Sequence, residues 1–260
     1  MKIATWNVNS IRSRLERLLR WLDKNKPDVM CLQELKAEED AFPLLPLQEA
    51  GYRAVVRGQK TYNGVAILSP HEPMHVERSF QDEGDESQAR FIACRIGDVR
   101  VASVYVPNGG TVGSDKWEYK LAWMNRLRTY LDTHADPAEN LVLCGDFNIA
   151  PDDKDVANPE SWRNTVLCHD DGRRAFRRIC EWGLVDLVRT AHPEGGVFSW
   201  WDYRMLAFPK NDGLRIDHLL ATGPMTHRLF SAEIDRGERK GKLPSDHAPV
   251  AAVFKEGSNS

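Results

Sequence analysis

Five times along this chain an apolar, strand-like run gives way to a small group of acids, amides or imidazoles. No other feature constrains the fold as much. Ile3-Ala4-Thr5-Trp6 leads into Asn7-Val8-Asn9, and Val29-Met30-Cys31-Leu32 leads into Gln33-Glu34. Leu141-Val142-Leu143-Cys144 runs into Gly145-Asp146-Phe147-Asn148, and Leu214-Arg215-Ile216 meets Asp217-His218. Ser245-Asp246-His247 opens the last apolar run, Ala248 to Phe254. Strands this apolar are buried on both faces, so their polar groups collect at the sheet edge, where several tips can converge. Hard oxygen donors with one imidazole suit a divalent cation such as magnesium and the phosphate it holds.

Strand-like runs rich in Val, Ile, Phe, Trp and Tyr lie near 2–8, 29–33, 52–57, 64–69, 89–96, 99–106, 141–144, 197–201, 215–221, 228–234 and 248–254. Helical spacing appears at 11–25 (Ile11, Leu15, Leu18, Leu19, Leu22) and at 115–134 (Leu121, Met124, Leu127, Leu131), with Asp115 as a cap or first-turn acid. A third helix is expected over about 172–182, stopping at Gly183. Early strands alternate with helices and later strands follow one another, which predicts an α/β sandwich: two sheets face to face with helices outside. The polar tips span residues 7 to 247 and no linker or repeat interrupts them, so residues 1–255 are expected to form one domain, with a frayed tail at 256–260.

The 260 residues carry 35 Lys plus Arg against 38 Asp plus Glu, a net charge of −3 that excludes a uniformly basic coat. A polyanion partner then requires the positive charges to gather on one face. No apolar run approaches the roughly 20 residues that cross a bilayer, and no signal-peptide core opens the chain. Five scattered cysteines, mostly inside apolar runs, point to free thiols in a reducing cytoplasm.

Glu34 ends an apolar strand and is a candidate magnesium ligand, with Asn7 as a neutral oxygen donor beside it. Period-two alternation puts Asp146 and Asn148 on one face; Asp146 could orient or deprotonate a water, and Asn148 could hold that water or a phosphate oxygen. Gly145 permits close approach of backbone or substrate. Asp217 could lock the His247 imidazole and raise its pKa, giving a cationic phosphate clamp or a proton shuttle. Tyr105 could donate to a phosphate oxygen, with Asn108 nearby. In Phe198-Ser199-Trp200-Trp201, alternation sends the two tryptophans to opposite faces, so that one can line a pocket. Lys36, Lys60, Lys116, Lys120, Arg204, Lys210 and Arg215 are candidate contacts to backbone phosphates.

Taken in order, Trp6-Asn7-Val8-Asn9, Leu32-Gln33-Glu34, Tyr105-Val106-Pro107-Asn108, Gly145-Asp146-Phe147-Asn148, Arg215-Ile216-Asp217 and Ser245-Asp246-His247 closely resemble the exonuclease III family of AP endonucleases, within the endonuclease/exonuclease/phosphatase superfamily. The resemblance runs from about residue 1 to 255. It implies a four-layer αββα sandwich and magnesium-dependent hydrolysis of the phosphodiester 5′ to an abasic site, with manganese a possible substitute. The product is a 3′-hydroxyl, and 3′-end cleaning and 3′→5′ exonuclease activity accompany the reaction. By position Asn7 and Glu34 resemble the metal ligands, with Asp246 supplementary. Asp146 and Asn148 resemble the water-positioning pair, Tyr105 and Asn108 the phosphate contacts, and Asp217 and His247 the orienting acid and its imidazole. Trp200, Leu214 and Ile216 fall where relatives form the pocket for an everted base-free sugar, beside Arg215. Leu214 stands where some relatives carry a larger aromatic. The implied partner is double-stranded DNA with abasic sites or blocked 3′ ends, met by a monomer with no membrane contact.

Overall fold

The computed structural model describes residues 1–256; the remainder of the expected frayed tail, 257–260, lies outside the described residues. Twelve strands divide evenly between two mixed sheets. The first sheet holds β1 (Lys2–Asn7), β2 (Val29–Gln33), β3 (Arg53–Arg57), β4 (Val65–Ser69), β11 (Leu229–Ile234) and β12 (Val250–Phe254), ordered β11-β12-β1-β2-β4-β3. The second holds β5 (Met74–Glu77), β6 (Phe91–Ile96), β7 (Val99–Tyr105), β8 (Leu141–Asp146), β9 (Leu184–Asp186) and β10 (Asp217–Thr222), ordered β5-β6-β7-β8-β10-β9. Each sheet has one parallel pair, β1 with β2 and β7 with β8; the other neighbours are antiparallel. Helix α1 (Ile11–Asn25) makes the crossover in the first sheet. After the short α2 (Leu44–Glu49), α3 (Asp115–His134) makes it in the second.

Alternation along the strands builds three apolar layers. In β1, Ile3 faces the other sheet, where it packs among Val29, Cys31, Ile67, Val101, Val142, Leu219 and Val250. Ala4 and Trp6 point the opposite way, onto Ile11, Leu18, Trp21 and Leu22 of α1. Beyond the second sheet, Trp123, Met124, Leu127 and Leu131 of α3 pack with Phe176 and Ile179 of α5 (Asp170–Cys180) against Leu143 and Leu220. The order is therefore helix, sheet, sheet, helix, the expected αββα sandwich.

Both parallel pairs end at the same side of the molecule. Asn7 pairs with Gln33 at the ends of β1 and β2, and Tyr105 pairs with Asp146 at the ends of β7 and β8. Asp217 starts the antiparallel β10 directly opposite Asp146, and Val250 starts β12 opposite Thr5. The polar groups that end some strands and open others are thus brought to one edge, outside the carboxyl ends of the parallel pairs, where α/β sheets present ligand sites. Gly145 lets the strands meet there. Its φ is +145°, and a Cβ would lie 1.9 Å from the Val104 carbonyl oxygen, so backbone is what approaches it.

The spans 11–25 and 115–134 match α1 and α3; Asp115 is the first-turn acid of α3, and the cap is Ser114, which accepts from the Trp117 N–H. The third helix lies two residues earlier than expected, because His169 caps it. Residues 197–201 are no strand: Trp200 makes isolated bridges to Leu214 and His247 and the run bends away. Between β8 and β10 lie, besides α5, the short helices α4 (Pro159–Trp162), α6 (Leu187–Ala191) and α7 (Ala207–Lys210); α8 (Gly223–His227) follows β10. Strands β5 and β9 are short edge strands absent from the sequence reading. All five cysteines are free thiols, four of them buried, and no helix among the described residues is long and apolar enough to cross a membrane.

Candidate active site

Asn7 sits at the centre of the converged strand ends, fully buried, because β1 carries it on the face turned to the second sheet. Its Nδ2 donates to Glu34 Oε2 and to Asp146 Oδ2, each at 2.9 Å, while its Oδ1 accepts from the Asn9 N–H at 2.9 Å. Below it Gln33 donates to Thr5 at 2.9 Å and to Ser103 at 3.0 Å, a polar floor joining the two sheets. Glu34 turns out of β2 through a left-handed backbone (φ +56°), which aims its carboxylate into the opening. Its other oxygen meets Lys36 Nζ at 2.9 Å.

Asp146 faces Glu34 across Asn7 and is held from behind by the Asn148 N–H, 2.9 Å from Oδ1. Burial raises the Asp146 carboxyl to about 7; His247 opposes that shift and Asp217 adds to it. His247 Nε2 lies 3.7 Å from Asp146, and its Nδ1 lies 2.8 Å from Asp217 Oδ2. Burial opposes a charge on this imidazole, yet Asp217 and then Asp146 overrule it and hold the ring protonated up to about 10. Asp217 is fixed in turn by Ser199, whose hydroxyl donates to Oδ2 at 2.6 Å and accepts from the Ile216 and Asp217 N–H groups.

Asp146, Asp217 and His247 bring possible metal-binding atoms within 4.8 Å of one another. A charged imidazolium presents protons where a metal needs a lone pair, so in this trio His247 bonds to Asp217 and faces Asp146 as a cation rather than helping to cradle an ion. The oxygen-rich corner lies instead at Glu34 and Asn7, where a neutral amide nitrogen bridges two carboxylates. Asp246 stands behind it, accepting from Asn9 Nδ2 at 2.9 Å and Trp200 Nε1 at 3.0 Å. Despite burial, His247 and these two donors keep Asp246 below the usual carboxylate range.

The cleft above these groups encloses about 290 Å³. Tyr105 and Asn108 line one wall. Burial, with Glu34 and Asp146 nearby, pushes the Tyr105 hydroxyl well above its ordinary value, so it stays a donor. Asn108 Nδ2 donates to Asn148 Oδ1 at 3.2 Å. The opposite wall is an apolar corner of Trp200, Leu167 and Ile216, with Trp162 edge-on to Trp200 at 5.7 Å.

Asn7, Glu34, Tyr105, Asn108, Asp146, Asn148, Trp200, Ile216, Asp217, Asp246 and His247 are therefore brought together. Leu214, Arg215 and Lys120 are not at the cleft. Leu214 is wholly buried among Val156, Val166 and Ile216, beneath Trp200 and out of the cleft wall. Arg215 is 1% exposed and spends its guanidinium on Asp155, Asp186 and His218, so no phosphate reaches it. Lys120 is likewise sealed, its Nζ bonded to the carbonyl oxygens of Asn148, Val166 and Asn108. Sequence reasoning missed Ser199, signalled by a lone hydroxyl between aromatics, and Leu167, which carried no local signal.

The profile of the Endonuclease/Exonuclease/phosphatase family matches residues 4–247. The chain is 34% identical to an exodeoxyribonuclease III of Haemophilus influenzae, over 98% of this chain and 100% of that one. Among solved structures, an AP endonuclease from Archaeoglobus fulgidus superposes with a TM-score of 0.95 at 42% identity, covering 98% of this chain and 99% of the other. The 3′-5′ exonuclease NExo of Neisseria meningitidis superposes with 0.94 at 42%, covering 98% and 100%.

Proposed function

Because the chain belongs to the endonuclease/exonuclease/phosphatase family, we propose that it is a DNA-repair nuclease which hydrolyses the phosphodiester 5′ to an abasic site and leaves a 3′-hydroxyl. We infer that 3′→5′ exonuclease and 3′-phosphatase activities accompany that cleavage in base excision repair. Relatives named for an AP endonuclease, a 3′-5′ exonuclease and a 3′ phosphatase bound to product DNA support this reading. The observation that carries it is a buried carboxyl, Asp146, which burial raises to about 7, held 3.7 Å from His247, whose ring Asp217 and Asp146 keep protonated up to about 10, in a cleft with one apolar corner.

In this reading the scissile phosphate lies between His247, Asn108 and Tyr105, which direct positive charge and an O–H donor at its oxygens. Asp146 aligns the attacking water and takes its proton, since a base working near pH 7 needs a pKa close to that value. His247 stays charged throughout and clamps the phosphate, and Asp217 with Ser199 keeps its ring in place. Asn148 holds the water on the side away from O3′, which leaves as the P–O3′ bond breaks and takes a proton from solvent to become the 3′-hydroxyl. Glu34, with Asp246 supplementary, would hold a hard divalent ion, magnesium with manganese as substitute, and Asn7 would join them through Oδ1 once its amide turns over from the orientation that points Nδ2 at Glu34 and Asp146. Such an ion supplies positive charge to the phosphate in its crowded anionic state. The apolar corner at Trp200, Leu167 and Ile216 takes the sugar without a base, a group that costs little to unstack.

We read residues 1–255 as one folding unit acting as a monomer in the cytoplasm, the setting that unpaired buried thiols suit. A duplex with a single tetrahydrofuran abasic analogue tests the proposal. A nick 5′ to the analogue is expected with magnesium and none with EDTA. Glu34→Ala and Asp146→Ala should each lower turnover by a factor of about 10² to 10⁴ with thermal melting little changed. Near-native rates in either variant would refute the assignment.

A further inference from the structure

Strand order along the second sheet sets out the groups on either side of the reacting phosphate. Arg90 precedes β6, Tyr105 ends β7, Asp146 ends β8, and Ile216 precedes β10, and these strands lie side by side in that order. Arg90 and the apolar corner therefore flank the cleft on opposite sides, about three strand spacings or ~14 Å apart. On the Arg90 side, Asn108 is shared with a second cavity of about 270 Å³, lined also by Arg90, Lys116 and Tyr119.

This cavity has the composition of an anion site. Its lining carries two cations and, among the described residues, no carboxylate. The Arg90 guanidinium is part-buried over the Tyr105 ring, 4.8 Å from its centroid, and its hydrogen bonds go to Gln88 Oε1 at 2.6 Å and the Tyr105 carbonyl at 3.0 Å. Neither acceptor is charged. A part-buried guanidinium with no carboxylate among its hydrogen-bond partners has donors to offer an anion, whereas the wholly buried Arg215 in this same molecule is already matched by two carboxylates. The Tyr119 hydroxyl adds an oxygen shielded from solvent and without a hydrogen-bond partner among the described residues.

We propose that this cavity is a phosphate subsite for the diester one linkage 5′ of the scissile bond, with Arg90 its principal ligand and Lys116 and Tyr119 its supports. The inference rests on the nuclease reading above. When the apolar corner takes the sugar 3′ of the scissile phosphate, the upstream nucleotide must leave the cleft on the Arg90 side. Its own phosphate then meets the unmatched guanidinium. A good substrate must carry that upstream phosphate, whether the scissile phosphate is internal or terminal.

The test substitutes the substrate, so the fold is untouched. Tetrahydrofuran duplexes are made with an ordinary diester, or with a neutral methylphosphonate, at the linkage immediately 5′ of the scissile phosphate. Single-turnover cleavage with magnesium is then compared. In the wild type the neutral linkage should lower kcat/KM at least about tenfold, the scale of one charge-assisted contact. In Arg90→Met both substrates should react at the same reduced rate, and Lys116→Met and Tyr119→Phe should retain an intermediate ratio. Equal rates in the wild type overturn the subsite, as does an undiminished ratio in Arg90→Met. Should Arg90→Met not fold, the wild-type ratio and the two milder variants decide. Absence of any nick in the ordinary duplex overturns the nuclease reading and the subsite together, whereas an ordinary nick indifferent to methylphosphonate removes the subsite alone.

Discussion

Lys120 shows how one buried amine can organise a site it never touches. Its Nζ reaches the carbonyls of Asn148 at 2.6 Å, Val166 at 2.7 Å and Asn108 at 3.1 Å, tying together three segments behind the cleft. Burial drags its pKa from 10.5 to about 7, against the pull of Asp146. Between those values the unfolded chain holds a proton that the folded chain releases, so Lys120's contribution to stability rises with pH from about 7 towards 10.5 and is smallest below 7. Lys120→Met should cost about 1–3 kcal/mol, the scale of buried carbonyls left without donors. Its deficit in urea midpoint against the wild type should widen from pH 7 to 9.5; parallel pH profiles would contradict the sign. His247 offers the complementary case, because its charge is held by Asp217 against burial. Asp217→Asn keeps a hydrogen-bond partner and removes the charge. The His247 titration followed by imidazole ¹⁵N NMR should then fall from about 10 by at least about one pH unit.

Elements differ in how plainly their sequences announce them. Helices α1 and α3 were legible to the residue because an apolar stripe must recur at helical spacing to reach a sheet. The central strands were legible because burial on both faces leaves continuous apolar runs. Strands β5 and β9 were not, since each is a short edge with exposed positions, and β-propensity fades where one side meets water. Phe198 to Trp201 has strand composition, yet its backbone is committed elsewhere: the Ser199 N–H goes to Leu214 and the Trp201 N–H to Asp246. The start of β10 is the sharpest case. Arg215 reads as a surface cation because its partners, Asp155 and Asp186, lie 60 and 29 positions away. In the fold its Nε meets Asp155 at 2.6 Å and its Nη1 meets Asp186 at 2.8 Å, pinning β10 to the segment after β8 and to the cap of α6. Arg215→Met should therefore cost about 3–5 kcal/mol, because Asp186 loses its only guanidinium and Asp155 keeps Arg189 alone. Adding Asp155→Asn should recover part of the loss; a double variant no better than the single in urea denaturation would place the cost in packing instead.

At the scale of the molecule, a net charge of −3 and a polyanionic substrate are reconciled by segregation. Acids collect in the cleft, where a cation can sit among them, and bases collect on both sides of it. One side is the Arg90 and Lys116 cavity. The other is a groove of about 760 Å³ between the start of α1 and residues 237–243, where Arg12, Arg20, Lys240 and Lys242 outnumber the two carboxylates Glu16 and Glu238. Arg17 also lines it, but its guanidinium is spent on Glu238 and on the Lys240 and Lys242 carbonyls, which holds that turn in place. Both flanks adjoin the cleft, since Asn9 precedes α1, Asp246 follows the turn, and the two bond to each other at 2.9 Å. A duplex lying across the cleft would meet positive charge before and after the reacting phosphate, whatever the net charge. Each phosphate neutralised contributes a slope of about −0.9 to log K against log salt. With both flanks engaged, the affinity for abasic duplex, measured in EDTA so that no cleavage occurs, should fall with a slope of about −3 or steeper. Replacing Arg12 and Lys242 by Gln should make it shallower by about 1.8, two such increments. A slope near zero in the wild type would mean that the net charge governs binding and that the flanks do not carry the DNA.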